Sequence, residues 1–273
     1  LSTATSTHTT TVAALYEGTF SVGLNKKFIR IDRDAKPQKG ALKLSLNPFL
    51  IQTPDRNLLI DAGLGEFGEN TSCETIKKHL AEFGLTELDI TDIVLSHLHY
   101  DHMGGLAERC DGFWELTFPD AQLWVSGEGW QEAIQKETWY DETKTEFLHF
   151  LDAKADLHFL EADQQIYPDL RVERIGGHTQ YHQAIYLERD EIKVIMAGDV
   201  IGKRSGINRK FAAKYDYDAQ QSIKARKNLT QQAYEGGYIL LGYHDNHHPL
   251  FKLVDYQENK GYTIENLGEQ QTA

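Results

Sequence analysis

Leu42, Leu44 and Leu46 alternate with polar positions, and the stretch 41–53 reads as a strand with one buried face. Turn signals flank the early strands, at Asp32-Arg33-Asp34 and at Pro37-Gln38-Lys39-Gly40. Short buried-strand runs at 57–60, 92–96 and 122–125 and strand-like runs at 171–175, 183–188 and 192–197 predict further strands, and 237–243 predicts the last buried one. Helical spacing takes over between them. Ile76, Leu80 and Phe83 fall at i, i+4 and i+7, and Gly84 stands where the helix must stop. Helices are also expected over 127–137 and 139–152, the second with Phe147, Phe150 and Leu151 on one side. Asp218 with Gln221 three residues on resembles a capping box that opens a helix to about residue 235.

Strands interspersed with helices, without a linker or an internal repeat, predict one layered α/β domain over 12–273 behind a polar tail, 1–11. Gly63, Gly65 and Gly68 fit the spacing of a phosphate-cradling turn, but no clean helix opens after them, which argues against a dinucleotide site.

Composition narrows the function classes. The chain of 273 residues is 40% hydrophobic, enough for a core, and its mean hydropathy of −0.50 with no apolar run of about 18 residues excludes a membrane-spanning helix. A net charge of −13 without a basic stripe opposes nucleic acid as a partner. Cys73 and Cys110 form no Cys-x-x-Cys pair, so neither a disulfide framework nor a thiolate cage is expected. A soluble, cytoplasmic protein is the expectation, although the first residue is Leu1 and a leader removed earlier is compatible with it.

The chemistry is concentrated in His97-Leu98-His99-Tyr100-Asp101-His102. On an extended strand end, residues i and i+2 point the same way, so His97 and His99 can share one ion. Asp101 and His102 are expected to swing round in the following loop and face a second ion. Nitrogen and oxygen donors without thiolate suit zinc. More donors stand at later strand ends: His178 after paired glycines, as third ligand of the first ion; Asp199 after Gly198, placed to bridge two ions; and His244 after 237–243. His182 is read as holding a ligand or a loop, and His244 is preferred over His247 and His248.

In this order the His97–His102 cluster, Gly177-His178-Thr179, Gly198-Asp199 and His244 resemble the metallo-β-lactamase-fold hydrolases. Leu59-Ile60-Asp61-Ala62-Gly63 and Phe118-Pro119-Asp120-Ala121 with Trp130 resemble other stretches of that family, so the likeness covers roughly 40–250. It implies a four-layer αβ/βα sandwich with two facing sheets and the metals on one edge. Carried over by position, it implies that His97, His99 and His178 bind one Zn2+, that Asp101, His102 and His244 bind the other, and that Asp199 bridges. Iron or manganese are the alternative metals.

Within the family, His102 and the absence of a ligand cysteine disfavour antibiotic hydrolysis. The short stretch after His244 leaves no room for the helical domain of glyoxalase II, and the charge disfavours RNA processing. The chain is most similar to the N-acyl-homoserine-lactone lactonase and methyl-parathion-hydrolase-like branch, through Gly198-Asp199-Val200-Ile201, Tyr215-Asp216, Ser222, Arg226 and His244-Asp245. It departs from the best-known lactonases at Gly202, where they carry a substrate-contacting tyrosine; Tyr181, Tyr215 and Tyr217 are the candidates to approach from elsewhere. The expected activity is hydrolysis of a small ester or lactone by a hydroxide bridging two ions, with Asp101 and Asp199 as catalytic carboxylates. A phosphotriesterase-like hydrolase and a di-iron oxidoreductase are the alternatives; the expected partner is a small-molecule substrate, and the resemblance implies pairing as a homodimer.

Overall fold

A computed structural model describes residues 9–136 and 141–272. Its first half runs through β1 (Thr11–Ala14), β2 (Gly18–Val22), β3 (Phe28–Ile31), β4 (Leu42–Leu46), β5 (Phe49–Gln52), β6 (Asn57–Ile60), α1 (Glu74–Glu82), β7 (Asp92–Val94), α2 (Tyr100–Met103), β8 (Ala107–Cys110), β9 (Phe113–Leu116), β10 (Gln122–Ser126) and α3 (Gly127–Gln135). The second half runs through α4 (Glu142–Lys154), β11 (Asp156–Leu160), β12 (Asp163–Tyr167), β13 (Leu170–Arg174), β14 (Gln183–Arg189), β15 (Ile192–Met196), α5 (Ala219–Gly236), β16 (Ile239–Leu241), β17 (Leu250–Gln257), β18 (Gly261–Gly268) and β19 (Gln270–Thr272).

Side chains on a strand alternate faces, and here both faces of two sheets are apolar. Leu58 and Ile60 of β6 point into a core between the sheets, while Leu59 points outward beneath helices; Val194 and Met196 against Ile195, and Ile239 and Leu241 against Leu240, divide in the same way. One mixed sheet has the order β11-β10-β7-β6-β5-β1-β19, and the other runs β12 to β18 in chain order. Ile76 and Leu80 of α1, Trp130 of α3, and Phe147, Leu148 and Leu151 of α4 cover the first sheet; Ala225, Leu229 and Ala233 of α5 cover the second. The result is the four-layer αβ/βα sandwich expected from the sequence.

Strand direction places the site. β6 and β7 are parallel neighbours, and β13, β15 and β16 share one direction because β14 pairs antiparallel with both β13 and β15. Asp61 follows β6, His97 follows β7, His178 follows β13, Asp199 follows β15 and His244 follows β16. Every one of these is a carboxyl end.

Several sequence expectations need correction. The single strand over 41–53 is two strands in different sheets, because Pro48 has no N–H to continue a ladder and the Asn47 amide instead donates to the carbonyls of Tyr243 (2.7 Å) and Asp245 (2.9 Å). The run 237–243 supplies only β16, and β17, β18 and β19 follow it, with β19 returning to pair with β1. Thr10 is buried and Thr11 opens β1, so the inner end of the expected tail belongs to the sheet. Residues 1–8 of that tail, and 137–140 at the junction of the two expected helices, lie outside the described residues. No helix follows Gly68 until α1, and Gly65 instead packs on the Gly104 carbonyl, so the glycine string forms no nucleotide turn. Among the described residues no helix is long and apolar enough to cross a membrane.

Candidate metal centre

Beyond β7 the chain bends at Ser96, is extended at His99 (φ −75°, ψ 147°) and then winds into α2. Asp101 and His102 therefore ride on one helical turn, not on the loop the sequence suggested. Asp199 sits in a short 3-10 turn that Gly198 makes possible: its φ is +48°, and a Cβ there would lie 2.4 Å from His182 Nε2 and 2.9 Å from Ser96 Oγ. His182 braces that turn, its Nε2 donating to the Ala197 carbonyl at 3.1 Å.

The seven residues named from the sequence converge in two sets, His97, His99, His178 and Asp199 in one and Asp101, His102 and His244 in the other, with candidate ligand atoms within 4.8 Å of one another in each. His99 Nδ1 lies 2.9 Å from His97 Nε2 and 3.1 Å from His178 Nε2, and Asp199 Oδ2 lies 3.2 Å from His178 Nε2. Asp199 Oδ1 turns to the second set, 2.8 Å from His244 Nε2 and 3.2 Å from His102 Nε2. Asp101 Oδ2 completes it at 3.6 and 3.8 Å from the same two nitrogens. His247 stands apart, its ring 3.3 Å from exposed Asp34.

Hydrogen bonds on the far side of each ring decide what the near side offers. His102 Nδ1 donates to Asp61 (2.7 Å), His178 Nδ1 to Asp216 (3.0 Å) and His244 Nδ1 to the Ser45 carbonyl (3.0 Å). In the neutral imidazole that assigns a lone pair to each Nε2. These lone pairs face carboxylate oxygens, which repel them unless a cation stands between. Consistently, His102 Nε2, His244 Nε2 and Asp199 Oδ1 are buried and make no hydrogen bond. The residues fit divalent ions of the zinc type, with nitrogen and oxygen donors and no thiolate.

Electrostatics follow from the same packing. Burial, with neighbouring histidines, holds His97 well below its ordinary range, so it is a neutral ligand; His99, whose residue is exposed, is lowered too, by desolvation of the ring nitrogen packed among the site groups and then by His178. Burial works against charging His102 and His178 too, but Asp61, Asp101 and Asp199 outweigh it at His102, and Asp199 and Asp216 at His178, so both shift up. Burial raises Asp199, yet His244, His178 and His102 hold it well below the carboxylate range.

Sequence reasoning gave no role to Asp61, Asp216 or Glu17. Asp61 has φ +58° and is wholly buried; besides holding His102 it accepts from Ser96 N (2.7 Å) and Ser96 Oγ (2.8 Å). An aspartate after a strand is too common for sequence to flag this. Asp61→Asn removes the charge that orients His102, so metal affinity of the second set is expected to fall by about 10- to 100-fold, read by competition with a chromogenic chelator.

Glu17, buried beneath the 63–65 turn, accepts from Leu64 N (2.9 Å) and Gly65 N (3.2 Å). Burial pushes it up to about 7 despite those donors. A carboxyl raised in the folded state favours folding below its unfolded value near 4.5 and loses that contribution as pH rises through 7. Relative to Glu17→Gln, the natural protein should therefore lose about 3 kcal/mol between pH 4.5 and 8, measured by urea unfolding of both proteins.

The Metallo-beta-lactamase superfamily model matches residues 43–235. The chain belongs to this superfamily. Among curated relatives, an N-acyl homoserine lactonase of Bacillus thuringiensis is 22% identical over 168 residues, which is 55% of this chain and 61% of that protein. The chain thus spans less than two thirds of the length of that relative. A probable metallo-hydrolase of Mycobacterium tuberculosis is 21% identical over 67% of this chain and 65% of its own. A probable metal-dependent hydrolase from Staphylococcus aureus superposes with a TM-score of 0.72 at 24% identity, over 94% of this chain and 98% of the other. A dizinc quorum-quenching lactonase bound to its product superposes with a TM-score of 0.69 at 20% identity, over 85% and 82%. These likenesses identify the metallo-beta-lactamase fold.

On this superfamily frame Gly202 abuts a ligand candidate: a Cβ there would come 3.1 Å from His244 Cδ2. Of the tyrosines expected to approach, Tyr181 lines a cavity of about 140 Å³ beside His97 and His99, and Tyr217 is mostly exposed. Tyr215 sets its ring edge-on to His178, 5.7 Å between centroids. Partial desolvation of its hydroxyl, then the fields of Asp199, Asp216 and Asp101, raise its phenol, although the residue as a whole is 55% exposed.

Proposed function

We propose that this protein is a di-zinc hydrolase of small esters and lactones. The observation that carries the reading is the set of seven convergent donors in which Asp199 gives one oxygen to each group while His102 Nε2, His244 Nε2 and Asp199 Oδ1 stay unbonded. Distant relatives named N-acyl homoserine lactonase support the substrate class. His97, His99 and His178 would hold one ion, Asp101, His102 and His244 the other, with Asp199 between them. When bound, such ions supply Lewis acidity and bring the pKa of a water from 15.7 toward about 7.

The protein's own contribution is alignment and proton handling. Asp61, Asp216 and the Ser45 carbonyl lock three imidazoles in one tautomer and one orientation. Tyr243 fixes the backbone of Asp101, its hydroxyl donating to the Asp101 carbonyl at 2.5 Å. The Asp101 carboxylate can then accept a proton as water attacks the acyl carbon, and return one to the alkoxide when the C–O bond breaks. A net charge of −13 suits neutral small molecules better than polyanions.

The test is a hydrolysis screen of lactones, aryl esters and phosphotriesters on zinc-loaded protein, with a fully chelated control. Turnover of lactones or esters that disappears on chelation and returns with zinc is expected. Preference for phosphotriesters would move the reading to the neighbouring chemistry, and turnover surviving complete chelation would overturn it.

A further inference from the structure

Helix α2 carries Asp101 and His102 on a single turn, too short to hold itself, so its place is set by the chain it lies against. The stretch 62–65 runs beside its carboxyl end: Ala62 N donates to the His102 carbonyl at 2.7 Å, and Gly105 N donates to the Gly63 carbonyl at 3.2 Å. Between those bonds the two backbones touch. A Cβ on Gly105 would lie 2.0 Å from the Ala62 carbonyl oxygen, and one on Gly104 would lie 2.3 Å from that of Leu64. With no room in the seam, a displacement of the 62–65 turn is passed on to α2. Tyr243 holds the Asp101 carbonyl separately.

Glu17 supports that turn from beneath. Its carboxyl is the acceptor for Leu64 N and Gly65 N, at 2.9 and 3.2 Å. The backbone of Glu17 is itself fixed to the small β3-β2-β4 sheet: its N–H donates to the Leu46 carbonyl (2.9 Å), and its carbonyl accepts from the Arg30 guanidinium (3.1 Å). One residue back on β4, Ser45 gives its carbonyl to His244 Nδ1. A sheet that bears no ligand thus reaches the second donor set twice, through Ser45 to His244 and through Glu17 and the turn to α2. The Glu17 carboxyl has no ion-pair partner among the described residues; Arg30, Asp101, Cys73 and Tyr243 reach it only by field. A buried carboxyl without a cation is a costly way to fill space, so packing alone does not account for it.

We propose that Glu17 is a positioning residue for the second ion: by holding the 63–65 turn it sets where α2 lies, and so the reach of Asp101 and His102. This deepens the hydrolase reading and rests on its two-ion assignment. Asp61 orients the His102 ring, whereas Glu17 acts on the backbone that carries both ligands. The first set stands outside the seam, since His97 and His99 precede α2 and His178 follows β13. Loss of Glu17 is therefore expected to separate the two ions.

The experiment titrates zinc into metal-free protein against a chromogenic chelator and follows amide hydrogen exchange of the same metal-free samples by NMR. Glu17→Gln keeps the side chain's size and one acceptor oxygen but sets an NH₂ against the turn amides. Its first zinc should bind as in the natural protein, and its second about 10- to 100-fold more weakly. The Ala62 and Gly105 amides, which join the turn to α2, should exchange faster than in the natural protein. Leu187→Ala, which opens a cavity in the core between the sheets, controls for stability lost elsewhere: its thermal midpoint falls while both zinc steps stay as they were. If Glu17→Gln does not fold, Glu17→Asp, which draws the carboxylate one methylene back from the turn, takes its place with the same expectation. An unchanged second step, an equal weakening of both steps, unchanged exchange at Ala62 and Gly105, or the same selective loss in Leu187→Ala would overturn the role. If the natural protein takes up fewer than two ions, the two-ion reading falls and exchange alone decides: faster exchange at Ala62 and Gly105 in the variant keeps Glu17 as the support of α2, and equal exchange removes it.

Discussion

Exchanging Asp199 for asparagine is expected to lower kcat/KM by about 1,000-fold or more and to reduce bound zinc by at least one ion per chain. The carboxylate spans the two sets, with Oδ2 at 3.2 Å from His178 Nε2 and Oδ1 at 2.8 Å from His244 Nε2. An amide of the same shape keeps one oxygen donor and puts an NH₂ where the other stood, so one set loses a ligand and both lose half of a shared negative charge. The loss should follow metal content: excess zinc restores only a small fraction of the activity. Full restoration by zinc would mean that Asp199 merely tightens binding, and unchanged metal content with unchanged rates would remove it from the centre altogether.

The second large effect is expected at Asp101. Asp101→Asn should cut kcat by about 100- to 1,000-fold while the thermal midpoint stays within a few degrees, because the carboxylate stands at the site's margin with its backbone already held by Tyr243. Its oxygen is 3.6 Å from His244 Nε2 and 3.8 Å from His102 Nε2, longer than the Asp199 contacts, which suits a group that trades a proton as well as facing the ions. The pH–rate profile separates the two duties. A lost proton acceptor flattens the acid limb, whereas a lost ligand alone lowers the whole curve and is offset by added zinc.

How much of this was legible in the chain depends on which forces wrote each part. Sheet interiors were legible because both faces are apolar: the runs around Leu58–Ile60, Ile192–Met196 and Ile239–Leu241 bury successive residues on opposite sides of a sheet, with Lys193 the one polar residue among them. The β17–β18 hairpin was missed because burial ends at Leu253 and its outer half is exposed, Val254 and Tyr256 at 49% each, so no sustained alternation marks it in the sequence. The strand break at Asn47–Pro48 was missed because Phe49 and Leu50 continue the apolar run although the chain has changed sheets.

The site divides in the same way. His97, His99, Asp101 and His102 declared themselves by local spacing, and His178, Asp199 and His244 by following strand ends beside glycine or aromatic residues. Asp61 and Asp216 act through space from elements that share no pattern with the ligands they hold: Asp61 reaches His102 across 41 positions and Asp216 reaches His178 across 38. Only the fold makes them neighbours.

On the proposed reading the two donor sets hold cations, and turnover requires them. The direct measurement is metal content by plasma mass spectrometry, taken alongside activity during stepwise chelation of the purified protein. About two zinc equivalents per chain are expected, with activity falling in step as they leave and returning as they are restored. A protein that keeps its full rate after both equivalents are gone, or that binds no divalent ion when supplied with zinc, would contradict it.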